Sequence, residues 1–230
     1  MKTIGLIGGM SWESTQGYYR ILNEQVKARL GGLHSAKLVL HSVDFDPIEK
    51  LQHQGNWDAT ADILCDAARS VEAGGADCVL ICTNTMHKVA PQVAAAVSIP
   101  LLHIADATAA AIKARGLSRV GLLGTGFTME QEFYKGRLRD QHGLEVLIPN
   151  EADRALVHRV IYEELCLGRI VPESKTQYLR IIAQLAEQGA EAVILGCTEI
   201  GMLVQQNDTA LPLFDTSELH ACSAVDFALA

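Results

Sequence analysis

The chain has 230 residues, 49% hydrophobic and 20% charged, with a formal net charge of −8 at pH 7. Those values belong to an ordinary globular protein and exclude disordered and fibrous classes. The acidic surplus argues against nucleic acid, which needs a clustered basic surface.

No apolar run reaches the ~18 residues that cross a bilayer, so no membrane partner is expected. Met1-Lys2-Thr3-Ile4 leads straight into a strand-like segment without a signal-peptide pattern. The six cysteines are scattered and form no C-x-x-C pair, as expected of reduced thiols in a cytoplasmic protein.

Taken in order, Lys2–Ile7 predicts a short strand ending in Gly8-Gly9-Met10-Ser11, where glycines permit a tight turn and close approach to a ligand. Ser11 or Ser14 can cap the following helix, which runs through Tyr18, Leu22 and Val26. G-x-G-x-x-G is absent, so this is not a dinucleotide fingerprint. Lys37–Val43 is a strand, Asp44–Asn56 a polar helix or loop carrying Gln52, and Ala59–Ala73 a helix. Ala76-Asp-Cys-Val-Leu-Ile-Cys82 is a buried strand opening into Thr83-Asn84-Thr85. Asn84–Ala96 restarts as a helix with Pro91 as a boundary or kink. Ile99–His103 is a short strand and Ala105–Ala114 a helix. The second half repeats the scheme. Arg119–Leu123 is a strand before Gly124-Thr125-Gly126, and Thr128 caps the helix through Phe133, Tyr134 and Leu138. Leu144–Ile148 is a strand, Glu151–Gly168 and Pro172–Gln188 are helices, Ala192–Leu195 is a strand ending at Cys197, and a last helix starts near Glu218.

Three echoes recur in one order. Ile4–Gly9 falls on Val120–Thr125 at an offset of 116, Ala76–Thr85 on Ala190–Glu199 at 114, and Pro100-Leu101-Leu102 on Pro212-Leu213-Phe214 at 112. The pattern predicts an internal duplication, with strand–helix alternation giving parallel sheets covered by helices. The expected fold is α/β, with two pseudo-symmetric lobes, each a parallel sheet flanked by helices, and an active-site cleft between them. Residues 1–98 plus 211–230 form the first lobe and 99–210 the second. Ligands of open α/β sheets bind beyond the carboxyl ends of strands, which singles out Thr83, Asn84 and Thr85 in one half and Cys197, Thr198 and Glu199 in the other.

A thiol beside the N–H groups that open a helix is expected to have a lowered pKa and to act as nucleophile or base. No histidine can be placed beside Cys197 from sequence. His87 lies four residues beyond Thr83 and reads as a helix-side hydrogen-bonding residue. The Cys and His spacing gives no metal site. Two polar side chains facing one ligand from opposite sides would suit proton removal on one face of a carbon and proton return on the other.

Gly196-Cys197-Thr198-Glu199, Thr83-Asn84-Thr85, Gly8-Gly9-Met10-Ser11 and Leu123-Gly124-Thr125 make the chain resemble the aspartate/glutamate racemase family, on its aspartate branch, over nearly its whole length. The resemblance implies an amino-acid racemase that needs no cofactor, pyridoxal phosphate included, acts on a small-molecule amino acid and is a homodimer. In that family each lobe supplies a cysteine. Here Thr83 stands where the first is expected, and Cys82, one residue off, faces the other side of the strand. A threonine hydroxyl is a far weaker acid than a thiol of pKa ~8.5. The catalytic pair is therefore Cys197, which removes the α-proton of the L-enantiomer, and Thr83, which returns a proton directly or through water. The reading favours L-substrates.

Met10, Gln52, Asn84, Thr85, Thr125, Thr128, Thr198 and Glu199 are the expected substrate-binding residues. An acidic side chain would call for a cationic clamp, and Leu165, Cys166 and Leu167 are apolar where the family often carries a basic residue. The same superfamily offers two alternatives. One is a decarboxylase or cis–trans isomerase of dicarboxylic acids using a single cysteine, and the other is an amino-acid-binding relative without catalysis.

Overall fold

Two separate parallel sheets carry the chain in the computed structural model, which describes residues 1–230. The first contains β1 (Ile4–Gly8), β2 (Leu38–Ser42) and β3 (Cys78–Ile81) in the order β2-β1-β3. The second contains β4 (Arg119–Gly124), β5 (Glu145–Leu147), β6 (Ala192–Gly196) and β7 (Leu213–Asp215) in the order β5-β4-β6-β7. Every pairing is parallel. The chain divides into two compact units, Met1–Ile104 with His220–Ala230, and Ala105–Leu219.

Both faces of the first sheet are covered, which is why its inner strands read as unbroken apolar runs. Ile4, Leu6, Cys78, Leu80 and Cys82 pack with Tyr18, Leu22 and Val26 of α1 (Trp12–Leu30) and with Ala221, Ala224 and Val225 of α11 (Thr216–Leu229). Ile7, Val79 and Ile81 point the other way, into Leu64, Ala67, Ala68 and Val71 of α3 (Trp57–Ala73). Fully burying each such aliphatic side chain contributes ~1.5–3 kcal/mol. The period of two therefore fixes which strand residues reach the core and which lie over the opposite face.

The duplication is written in the strand register. Ile4 pairs with Cys78 in the first sheet, and Val120 with Ala192 in the second; these are the positions that the offsets of 116 and 114 superpose. Leu101 forms one parallel bridge to Val79, and its counterpart Leu213 pairs with Val193. The strand expected over Ile99–His103 is thus reduced to a bridge, held by the Val79 N–H donating to the Pro100 carbonyl and the Leu102 N–H donating to the Val79 carbonyl.

Several boundaries differ from the sequence reading. Leu213–Asp215 extends the second sheet, so residues 211–219 belong to the second unit rather than the first. The earlier boundary falls after Ile104 rather than after residue 98. Asp44 caps α2 (Phe45–His53), which settles the helix-or-loop alternative there. Asn84–Ala96 is not one helix but a 3-10 turn, Thr85–Val89, followed by α4 (Ala90–Ala95) with Pro91 in its first turn. Thr128 does not cap the helix through Phe133, Tyr134 and Leu138. That helix, α7 (Glu132–His142), starts after Gln131 with no side-chain cap, while Thr128 lies within a short preceding helix, α6 (Gly126–Glu130), whose cap Thr125 accepts the Thr128 N–H. α8 (Glu151–Glu163) stops short of Gly168, and a 3-10 turn over Leu165–Leu167 follows it. α5 (Ile104–Ala114), α9 (Pro172–Glu187) and the short α10 (Ile200–Leu203) complete the set.

Gly9 is the tightest point of the β1–α1 turn. Its φ is +95°, and a Cβ built there would lie 2.2 Å from the Val43 carbonyl oxygen. Gly17, inside α1, has open space around it. Thermal melting should therefore separate the two substitutions. Gly17→Ala should stabilise by ~0.5–1 kcal/mol through helix propensity, whereas Gly9→Ala should lower the melting temperature, because the left-handed backbone and the Val43 clash both oppose it.

Candidate active site

In the first unit, β3 releases the chain at Cys82. The Cys82 side chain is buried in the α1–α11 core, and burial pushes its thiol well above the ordinary value. Thr83 is half-buried, and Asn84 and Thr85 are buried. His87 secures this loop: its Nδ1 lies 2.8 Å from the Thr83 carbonyl oxygen, and its Nε2 accepts the Ile104 N–H at 3.2 Å. Gln52, buried on α2, donates from Nε2 to the Met86 sulfur at 3.0 Å. Met10 is buried in the same cluster as Ile48 and Met86. Met10, Gln52 and the 83–87 segment thus gather around the carboxyl ends of β1 and β3. Lys88, the next cation in the chain, rests over the Trp57 ring at 4.0 Å, and burial lowers its ammonium pKa.

In the second unit, β6 ends at Gly196, where a Cβ would lie 2.9 Å from the Leu123 carbonyl oxygen. Cys197, Thr198 and Glu199 follow, all buried. The Cys197 thiol donates to Glu199 Oε2 at 2.9 Å, and the Thr198 hydroxyl donates to the same oxygen at 2.8 Å. Glu199 is therefore held by its two neighbours. Thr125 and Thr128 are buried at the end of β4, their hydroxyl oxygens 3.2 Å apart. The Gly126 N–H donates to His158 Nδ1 at 3.0 Å.

The electrostatics correct one expectation. A helix terminus was expected to lower the Cys197 pKa. Instead, burial first, and the adjacent Glu199 carboxylate second, hold the thiol well above the ordinary value. The helix that follows, α10, spans only Ile200–Leu203, too short to develop a large dipole against a neighbouring full charge. The resting side chain is the thiol, hydrogen-bonded to the Glu199 carboxylate. Two features were missed from sequence. His87 was read only as a helix-side residue, although its four-residue spacing from Thr83 is what lets a ring reach back to that carbonyl. The Gly126–His158 bond carries no short-range signal. No three His, Cys, Asp or Glu side chains come together as metal ligands, and no helix is long and apolar enough to cross a membrane.

The profile of the Asp/Glu/hydantoin racemase family matches residues 7–224. The chain belongs to that family. A crystallised Yersinia pestis protein assigned as an Asp/Glu racemase is 56% identical, with a TM-score of 0.93 and complete coverage of both chains. An aspartate racemase homologue from Pyrococcus horikoshii is 35% identical, again covering both chains fully, with a TM-score of 0.86. The broad-specificity amino-acid racemase RacX of Bacillus subtilis is 26% identical over 171 residues, 73% of this chain and 71% of RacX. The fold alone is shared with arylmalonate decarboxylase, at 14% identity and a TM-score of 0.60, covering 99% of this chain and 93% of that one. Membership in a racemase family makes this protein an isomerase by class.

Alkylation reads the thiol directly. The Cys197-specific rate with iodoacetamide should rise about tenfold per pH unit from pH 7 to 9 without a plateau, since only the thiolate reacts and its pKa lies above that range. Glu199→Gln removes the charge that disfavours the thiolate and should speed alkylation at every pH in the series, as followed by peptide mass spectrometry.

Proposed function

We propose that this family member is an amino-acid racemase working without pyridoxal phosphate. Cys197 abstracts the α-proton of an L-amino acid, and Thr83, directly or through a water it holds, protonates the opposite face. One observation carries the reading. Thr83 and Cys197 occupy the same point of the repeated unit, just beyond two strands whose pairing registers superpose. The Cys197–Glu199 contact supplies the activation step. The thiol proton passes to the Glu199 carboxylate, and the thiolate so formed takes the α-proton. Amide and hydroxyl donors of Asn84, Thr85 and Thr198 would bind the α-carboxylate and the charge that develops beside it. Met10, Gln52, Thr125 and Thr128 line the remainder. The substrate class is aspartate, glutamate or a related amino acid. The broad specificity named for RacX supports testing neutral amino acids alongside.

A directional preference has a thermodynamic limit. Two enantiomers have equal free energy in solution, so kcat/KM must be the same in both directions. The weak acidity of Thr83 can appear only in kcat and KM taken separately. L-substrates should show the higher kcat and, by the same ratio, the higher KM. The experiment is α-proton exchange in deuterium oxide by NMR, with circular dichroism progress curves, on L- and D-aspartate, glutamate and several neutral amino acids. Cys197→Ser should lower turnover by ~10²–10⁴-fold. Equal kcat values from L and D would remove the directional assignment. If no amino acid exchanges, the racemase reading fails. Substituted malonates then become the next substrates, because a decarboxylation needs one protonating thiol and this site has one.

A further inference from the structure

Two hydrogen bonds of His87 determine its chemical form. A carbonyl oxygen only accepts, so the contact to Thr83 requires a proton on Nδ1. A backbone N–H only donates, so the contact from Ile104 requires a lone pair on Nε2. Both hold at once only in the neutral Nδ1–H tautomer. Its surroundings keep it there. Ile104 opens α5, and the positive end of a helix dipole disfavours an imidazolium beside it. The titratable rings facing it are His103, with centroids 4.4 Å apart, and His220, at 5.8 Å. His220 in turn lies 2.7 Å from the Leu102 carbonyl oxygen through Nε2 and 2.9 Å from the Tyr18 hydroxyl through Nδ1. That ring donates from Nε2 to Leu102, while the Tyr18 hydroxyl can either donate to its Nδ1 or accept from it.

We propose that His87 is a positioning residue for the reaction, clamping the Thr83 carbonyl through Nδ1–H and so fixing the Thr83–Asn84 peptide plane. The proposal rests on the assignment of Thr83 as the residue that returns the proton. The peptide whose carbonyl His87 holds is the one that joins Thr83 to Asn84. Rotating that plane would re-aim the Asn84 N–H and change the backbone angle at Thr83 from which its hydroxyl is carried. A neutral anchor suits the task. An imidazolium would present a second donor where the Ile104 N–H already points, breaking the bond that holds the ring, and would place a charge in a buried cluster of histidines.

The test separates the clamp from the chemistry. In ¹⁵N-histidine-labelled wild type, long-range ¹H–¹⁵N correlation should show His87 as the Nδ1–H tautomer, unchanged between pH 6 and 9. An Nε2–H tautomer or a titrating imidazolium would overturn the clamp whatever the protein catalyses. Two variants then read its role. His87→Asn keeps an amide N–H near the Nδ1 position and should retain kcat within a few-fold. His87→Gln keeps an acceptor toward Ile104 but loses the donor to Thr83. It should lower kcat by ~100-fold, the scale of an ångström-sized misplacement, with little change in KM. Equal losses in the two variants, or an undiminished kcat in His87→Gln, would sink the positioning role. If wild type exchanges no α-proton, the Thr83 assignment fails, while the tautomer measurement still decides the clamp.

Discussion

The second unit's site depends on one shared acceptor. Glu199 Oε2 takes hydrogen bonds from the Cys197 thiol and the Thr198 hydroxyl together, in a loop with almost no solvent exposure. A buried carboxylate is tolerable only when donors surround it, and these two supply part of that demand from adjacent residues. The arrangement also explains why the thiol rests protonated. A thiolate at 2.9 Å from a carboxylate would set two negative charges side by side in a poorly solvated loop. The same contact that suppresses the thiolate provides the base for making one, so proton transfer from sulfur to carboxylate leaves a single negative charge in the loop. What is needed is a neighbouring group that favours charge on sulfur, and the α-ammonium of an amino acid is such a group.

The first unit solves the same geometric problem with different chemistry. Its strands pair in the same register, but its terminal loop is tied by a neutral imidazole to a backbone carbonyl, where the other is tied by a carboxylate between two side chains. A hydroxyl at position 83 needs no nearby acceptor to store its proton, because it rarely releases one. It needs aim. That difference follows from acid strength. The duplicated scaffold keeps strand ends in place, while the residues just beyond them differ: Cys197 in the second unit and Thr83 in the first.

The fold was readable because its evidence is local and repeated. Short unbroken apolar runs such as Val79–Ile81 and Val193–Leu195, closed by small polar residues, fit strands buried on both faces, and the three offsets predict the repeated order of the sheets. The period of two also placed Cys82 against the core and Thr83 away from it, which the packing around Cys78, Leu80 and Cys82 shows. What escaped was either a balance of competing terms or a matter of long range. The Cys197 pKa depended on whether burial and a carboxylate outweigh a helix end, and nothing in Gly-Cys-Thr-Glu gives the length of the helix that follows. The membership of Leu213–Asp215 in the second sheet rests on pairing with a strand twenty residues earlier. The cap expected at Thr128 failed because the segment after β4 is two helices, a short one capped by Thr125 that contains Thr128 and a second that starts after Gln131.

The proposed pairing of Cys197 with Thr83, two acids of unequal strength, would have a further consequence. Aliphatic hydroxyls are about as weakly acidic as water, so the enzyme form that would accept a D-substrate, with the thiol protonated and a base on the Thr83 side, would be rare. The form that accepts an L-substrate, with a thiolate and an intact hydroxyl, is reached by a short proton transfer to Glu199. Because the two enantiomers have equal free energy, this disparity cannot bias the final mixture, which must be racemic. It would be expressed in the free enzyme as unequal populations of the two forms, and in turnover as a slow return to the rare form after each D-to-L conversion. A water or hydroxide delivered to Thr83 shortens that return, and an ordered peptide plane at Thr83–Asn84 keeps the hydroxyl where such a water can be used. The neutral histidine behind the loop and the carboxylate beside the thiol then have complementary roles: one preserves geometry where acidity is lacking, and the other manages charge where acidity is available.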